Sequence, residues 1–529
     1  MGEVEKFLEG QNKQIKEFHK KLHLSYFDAI ISGKQEDYEK VKEELIRFND
    51  YLNNKERFEQ LKNFLDKEED PLKKRQLEIL YMTYAGCQGD KELLKEISKK
   101  ESEIEQKFNT FRAKVGGKEL TDNEIKEILE TETDSEKLQE AWEASKKQGA
   151  LVERELIELV KLRNRLAKSL GFENYYTMSL ELNEQTEEEI RNLFEEMEVQ
   201  LNGAFSKLKQ NIDESLSKRY SINKEELKPW HYQDLFFQEG PKTYDIDLDK
   251  FYTKDNVEIV KKFYYDAGFD VSSILEKSDL YEKPGKYQHA CCIDMDKEGD
   301  VRIIENVKNN EYWAGTTLHE LGHAIYDETY SKTNLPFLLK DKAHIFTTEA
   351  IALLFERNSK NTSFLKKYCK ANPEEVEKIK DLIKKSLRTK ELTFTRWNQV
   401  MFNFEKELYK NPDRNLNELW WEIVKKYQEI NFSRDKPDWA SKIHLASSPV
   451  YYHNYLLGKF LASQLNNYIV KEILKSDDTE NPDYSNKEVG KYLKKYVFEP
   501  GNTKRWDKLI KEATGESLTP RYFSEEFLN

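Results

Sequence analysis

The stretch Thr317-Leu318-His319-Glu320-Leu321-Gly322-His323-Ala324 constrains this chain more than any other, because only there do two histidines stand four apart with a glutamate beside the first. On a helix, residues i and i+4 share a face one turn apart, so the imidazoles of His319 and His323 can converge on one ion. Glu320 is rotated by about 100° around the same helix. It points beside the ion, where its carboxylate can take a proton from a metal-bound water. This is a zinc-hydrolase arrangement. The competing reading is a buried amphipathic helix with Trp313, Leu318, Leu321 and Ile325 as its core face and two hydrogen-bonded histidines.

The rest of the chain narrows the class. Lysine plus arginine against aspartate plus glutamate gives 86 − 99 = −13, and the charges are spread out with no basic block, which argues against a nucleic-acid partner. The opening Met1-Gly2-Glu3-Val4-Glu5-Lys6-Phe7 has no apolar leader, and no later run of about 18 apolar residues could cross a bilayer. We therefore expect a cytoplasmic protein without a membrane partner, and a monomer. The four cysteines, Cys87, Cys291, Cys292 and Cys369, follow no framework spacing, so reduced thiols are expected.

From the start to about residue 230 the pattern is charged and helical in period, as in Tyr38, Val41, Leu45, Phe48 and Leu52. Gly116-Gly117 interrupts it, Thr121 to Glu124 reads as a capped helix start, and Gly171 breaks the helices of the Leu151 to Leu180 stretch. Between Lys286 and Ile304 two short apolar runs flank the polar turn Lys297-Glu298-Gly299-Asp300. That pattern predicts a β-hairpin, the one convincing sheet element, whose edge could hold an extended peptide beside the histidine helix. The fold class is mostly α with this small antiparallel element.

A catalytic zinc takes three protein ligands and keeps one position open. Downstream of Pro336, Thr347 or Thr348 can cap a helix with Glu349 in its first turn and an apolar face behind it. A carboxylate in so apolar a segment is costly unless paired or coordinated, which makes Glu349 the third ligand, with His344 as its rival. Seven of the nine histidines lie between His231 and His453. Within that half, Lys442 to Tyr455 gathers lysine, histidine and tyrosine, side chains that can donate to a carbonyl oxygen as it gains negative charge.

Several ordered blocks resemble the zinc peptidases of the angiotensin-converting enzyme family, related to oligopeptidase F and thimet oligopeptidase. They are Trp142-Glu143 to Gly171-Phe172, His289-Ala290 with Arg302-Ile303, the histidine helix with Glu349-Ala350-Ile351, and Trp420-Trp421 with Lys426-Tyr427-Gln428. Lys442-Ile443-His444 with Ser447-Ser448 completes the set. The resemblance implies a large helical ellipsoid divided by a deep substrate channel. It implies one peptidase unit over 1–529, helices to about 115 acting as a lid and catalytic residues within 289–455.

It further implies one zinc ion held by His319, His323 and Glu349, with Glu320 as base and then acid, and His444 and Tyr455 steadying the oxyanion. His289, Ala290 and Cys292 would flank the scissile bond on the edge strand. Lys442 and Tyr452 would bind the terminal carboxylate of a short peptide, with Tyr451 competing for a tyrosine role. The family's tyrosine pair recurs here with one extra residue after His444. Two family features are missing. The arginines that bind activating chloride are replaced by Asn454 or His453 and by Val424, so chloride activation is not expected. The aspartate four residues after the glutamate ligand is Leu353, so another group must orient the histidines.

The expected activity is release of C-terminal dipeptides from short peptides, the alternative being endo-oligopeptidase cleavage of the oligopeptidase F type. From a different class, a non-catalytic peptide- or metal-binding protein on the same fold would have no use for Glu320.

Overall fold

The computed structural model describes residues 2–242, 244 and 246–528. The chain divides into two compact units, one of Met1–Gln88, Asp247–Lys380 and Leu457–Phe523, the other of Gly89–Ile246, Asp381–Leu456 and Ser524–Asn529. In chain order, the elements that frame the site are α1 (Glu3–Ser32), β1 (Ala113–Val115), β2 (Lys118–Leu120), α2 (Ser135–Ser169), β3 (Cys291–Asp294) and β4 (Val301–Ile304). They continue with α3 (Glu311–Ser331), α4 (Ile345–Glu356), α5 (Pro373–Lys410) and α6 (His453–Tyr468). The architecture is mostly α, as the periodicity predicts, and no described helix is long and apolar enough to cross a membrane.

In the first unit, α1 buries Leu8 and Ile15 against Leu61, Leu77, Leu80 and Tyr84. Its far end buries Phe27 and Ile30 against Ile293 and Met295 of the hairpin region and Ile304 of β4. β3 and β4 pair antiparallel in the register Cys291↔Ile304 to Asp294↔Val301. The strand begins later than the sequence pattern suggests, so His289 and Ala290 lie in the bend before it. Gly299 takes φ 105° in the turn, a conformation only glycine adopts freely.

α3 is mostly buried beyond its first turn, and α4 crosses it at backbone distance. A Cβ on Gly322 would stand 2.7 Å from the Cα of Ala352, so glycine is what lets the two helices meet. On the other flank of α4, a Cβ on Gly458 of α6 would stand 3.1 Å from Cγ of Glu349. The missing side chain at Gly458 lets α6 pack directly against the Glu349 side chain.

In the second unit, α2 runs unbroken to Ser169 and buries Trp142 and Arg163. The capping box at Thr121 forms as expected, with the Thr121 N–H donating to Glu124 at 2.7 Å. A second hairpin, β1 with β2, departs from the expected single sheet element. Gly116 and Gly117 both take positive φ, 55° and 79°, so the glycine pair is a tight two-residue turn between three-residue strands too short to show alternation.

Gly322→Ala is expected to cost about 1–3 kcal/mol of unfolding free energy, read by urea titration. The same substitution is expected to weaken metal binding, because relief requires α4 to move off α3. Wild-type values in both measurements would show that the helices have slack.

Candidate functional site

Asn310 starts α3 by accepting the Trp313 N–H at 2.9 Å, and the helix then carries His319 and His323 to one face. Their Nε2 atoms lie 3.2 Å apart. Glu349 of α4 completes the triangle, Oε1 at 3.9 Å from His319 Nε2 and Oε2 at 3.8 Å from His323 Nε2. Three donors bound to one zinc at about 2.0–2.2 Å with tetrahedral angles stand roughly 3.3 Å from each other. The observed triangle therefore fits such an ion after closure of ~0.5 Å on the carboxylate side, and two imidazoles with a carboxylate are a donor set zinc takes.

Each imidazole is held by its other nitrogen. His319 Nδ1 pairs with Glu356 Oε2 at 2.9 Å, and His323 Nδ1 with Thr348 Oγ1 at 2.8 Å. These bonds fix the rings with Nε2 facing the shared point. Both partners come from α4. Glu356 follows Glu349 by seven residues, two helical turns, and so lies nearly in line with it.

The rival ligand His344 has a different place. α4 begins at Ile345, two residues before the expected threonine caps, and His344 is its N-cap, accepting the Phe346 N–H at 3.3 Å. Glu349 consequently lies in the second turn, not the first.

The charges around the triangle are unbalanced. Burial disfavours a cation on His319, yet the bond to Glu356 and the carboxylates of Glu349 and Glu320 outweigh it and lift the imidazole to about 10. Burial and the neighbouring His319 hold His323 well below its usual value. Burial also pushes Glu320 up to about 7, helped by Glu349 and Glu356 and opposed by His319. A further carboxyl, Glu305, is fully buried one strand away, accepts from Thr317 Oγ1 at 2.9 Å and is raised well above the usual range by burial and by Glu320. Carboxylates outnumber imidazoles here, and the site calls for added positive charge.

On the same unit, β3 has β4 as its one strand partner among the described residues, leaving its other edge unpaired there. Cys292 lies on β3 with a thiol raised well above the usual range by burial, so it is no nucleophile. His289 is exposed and rests against Tyr287, ring centroids 5.1 Å apart.

The lysine, histidine and tyrosines of the C-terminal patch gather in the second unit. Lys442 is buried, donates to Gln238 Oε1 at 2.8 Å and is lowered to about 8 by burial. Its ammonium stands 5.3 Å from the ring centre of Tyr452, whose ring lies 5.1 Å from that of His444 and 5.3 Å from that of Tyr455. Tyr451 meets Tyr455 at 5.3 Å. Burial, with Lys442 beside it, lowers His444 to about 4, which leaves a neutral imidazole at pH 7. His453 and Asn454 are both tied to Gln185, at 2.8 Å each.

The model of the angiotensin-converting enzyme family, peptidase family M2, matches residues 2–521. The chain belongs to peptidase family M2. It is also similar to carboxypeptidase 1 of Bacillus subtilis (strain 168), 27% identical over 257 residues, which is 44% of this chain and 50% of that one. The chain thus spans about half the length of the curated relative it matches.

Within this M2 chain, sequence reasoning missed Glu356 and Gln238, and took Thr348 for a helix cap where it instead holds His323. For Glu356 a signal existed, a second acid seven residues from Glu349 on an otherwise apolar helix. For Gln238 there was none, since it meets Lys442 across 204 residues of chain. Glu356→Ala is expected to weaken metal binding by about 10–100-fold and Thr348→Ala by less, in a competition against a chromogenic chelator. Unchanged affinity in Glu356→Ala would mean that His319 needs no orienting partner.

Proposed function

We propose that this chain is a zinc peptidase that releases dipeptides from the C-termini of short peptides. The observation that carries the hydrolytic part is the triangle of His319, His323 and Glu349 with Glu320 on the same helix. Membership of a family of zinc metallopeptidases supports it. A bound zinc would supply a Lewis acid that polarises a peptide carbonyl and acidifies a water.

The protein's own groups do the rest. His319 and His323 present Nε2 because Glu356 and Thr348 hold Nδ1. Glu320 accepts a proton from the attacking water and later gives it to the leaving amine. His444 and Tyr455 donate to the carbonyl oxygen as charge builds on it. Cys292 and the residues before it, His289 and Ala290, border the strand edge on which an extended substrate would lie.

Lys442 supports the exopeptidase part. Among the described residues it pairs with the neutral amide of Gln238 and with no carboxylate within 4.0 Å. A buried ammonium so placed is completed by a substrate's terminal carboxylate, with Tyr452 beside it and Tyr451 competing for that role. The Bacillus relative bears the name of a carboxypeptidase, which agrees with action at that end.

Glu320→Gln is expected to keep its metal while kcat falls by about 10²–10⁴-fold; normal turnover would remove Glu320 as the base. A peptide with a free C-terminal acid is expected to be cleaved far faster than its amide, and Lys442→Ala to raise KM for the acid about tenfold or more without affecting the amide. Equal cleavage of acid and amide would make the protein an endo-oligopeptidase. Mass spectra of the products, with and without chelator, separate released dipeptides from single residues.

A further inference from the structure

The segment between His444 and Tyr452 turns through an unusual backbone conformation. Val450 has φ 55°, and it is the one β-branched residue among the described non-glycine residues with positive φ. Branching at Cβ resists the left-handed region, so the conformation must be held from outside. The Val450 N–H donates to Oε1 of Glu405 on α5 at 2.8 Å, with Val450 and Glu405 only 6% and 4% exposed.

The other end of the same loop is held by Arg163 of α2. Its guanidinium donates to the carbonyls of Leu445 and Ala446 at 3.0 and 2.5 Å, and to Glu101 at 2.6 Å. The segment from His444 to Tyr452 is therefore clamped near its start by Arg163 and near its end by Glu405. Burial raises the Glu405 carboxyl to about 8. A buried carboxyl is an expensive acceptor for one N–H, and only two residues further on the Tyr452 ring packs on His444.

We propose that Glu405 is a positioning residue, whose bond to the Val450 N–H sets the left-handed turn that places Tyr452 and Tyr455 with respect to His444. This rests on the reading that those side chains serve peptide hydrolysis.

The test measures kcat and KM of the full chain on a free-acid peptide, with metal content and Tm for every variant. Glu405→Gln keeps an oxygen acceptor and is expected within threefold of the parent. Glu405→Leu removes it and is expected to lower kcat ten- to a hundredfold, with KM within twofold and metal content unchanged. Adding Val450→Gly to Glu405→Leu is expected to recover at least fivefold in kcat, since glycine enters the left-handed region unaided.

Parental kcat in Glu405→Leu, an equal loss in Glu405→Gln, or no recovery on adding Val450→Gly would overturn the proposal. If Glu405→Leu alone does not fold, the double variant decides: a folded, active double variant supports the role, and an inactive or unfolded one overturns it. Tyr455→Phe and Glu320→Gln run alongside. If neither lowers kcat, the hydrolytic reading itself fails; if both do and Glu405→Leu does not, the positioning role alone is lost.

Discussion

The contact between Gly322 and Ala352 is the constraint from which the candidate site follows. Two buried helices can approach to backbone distance only where side chains are absent, and here the gap falls one residue before His323 and three after Glu349. That placement turns two imidazoles on one helix and a carboxylate on the next into a single set of donors. A wider crossing would leave Glu349 as a buried acid beside two histidines, with no common centre.

Once the helices are this close, electrostatics sets the character of the site. Glu320, Glu349 and Glu356 lie around two partly buried imidazoles, and Glu305 adds a fourth, fully buried carboxyl. Burial raises Glu320 and Glu305 above the usual carboxylate range. The hydrogen bonds from His319 to Glu356 and from His323 to Thr348 resolve part of the conflict by fixing which nitrogen faces inward. What remains is a demand for positive charge at one point, the complement of a divalent cation.

The second unit solves a different problem, the placement of flexible polar groups on an irregular segment. Arg163 and Glu405 clamp the loop from His444 to Tyr452, left-handed at Val450, and Tyr452 packs on His444. Such a conformation in a branched residue costs of order 1–3 kcal/mol, tolerated because the surrounding helices bury both ends of the segment.

Helical content, the hairpin before the histidine helix and the pairing of His319 with His323 were legible in the sequence, because each depends on spacing within a short stretch. Glu349 was legible as an acid in an apolar run, since an unpaired carboxylate there would be too costly. The start of α4 at His344 was misread because a histidine cap competes with threonines that cap more often. The β1–β2 hairpin escaped notice because strands of three residues carry no period. Glu356, Gln238 and Glu405 meet partners that only packing brings near, over separations of 37, 204 and 45 residues. Sequence thus determined which groups can converge on a cation and which of them share a turn, since covalent geometry fixes short-range neighbours. Tertiary structure decided which groups orient them, because hydrogen bonds across helices depend on where each helix crosses the next, and that depends on side chains being small enough to let them.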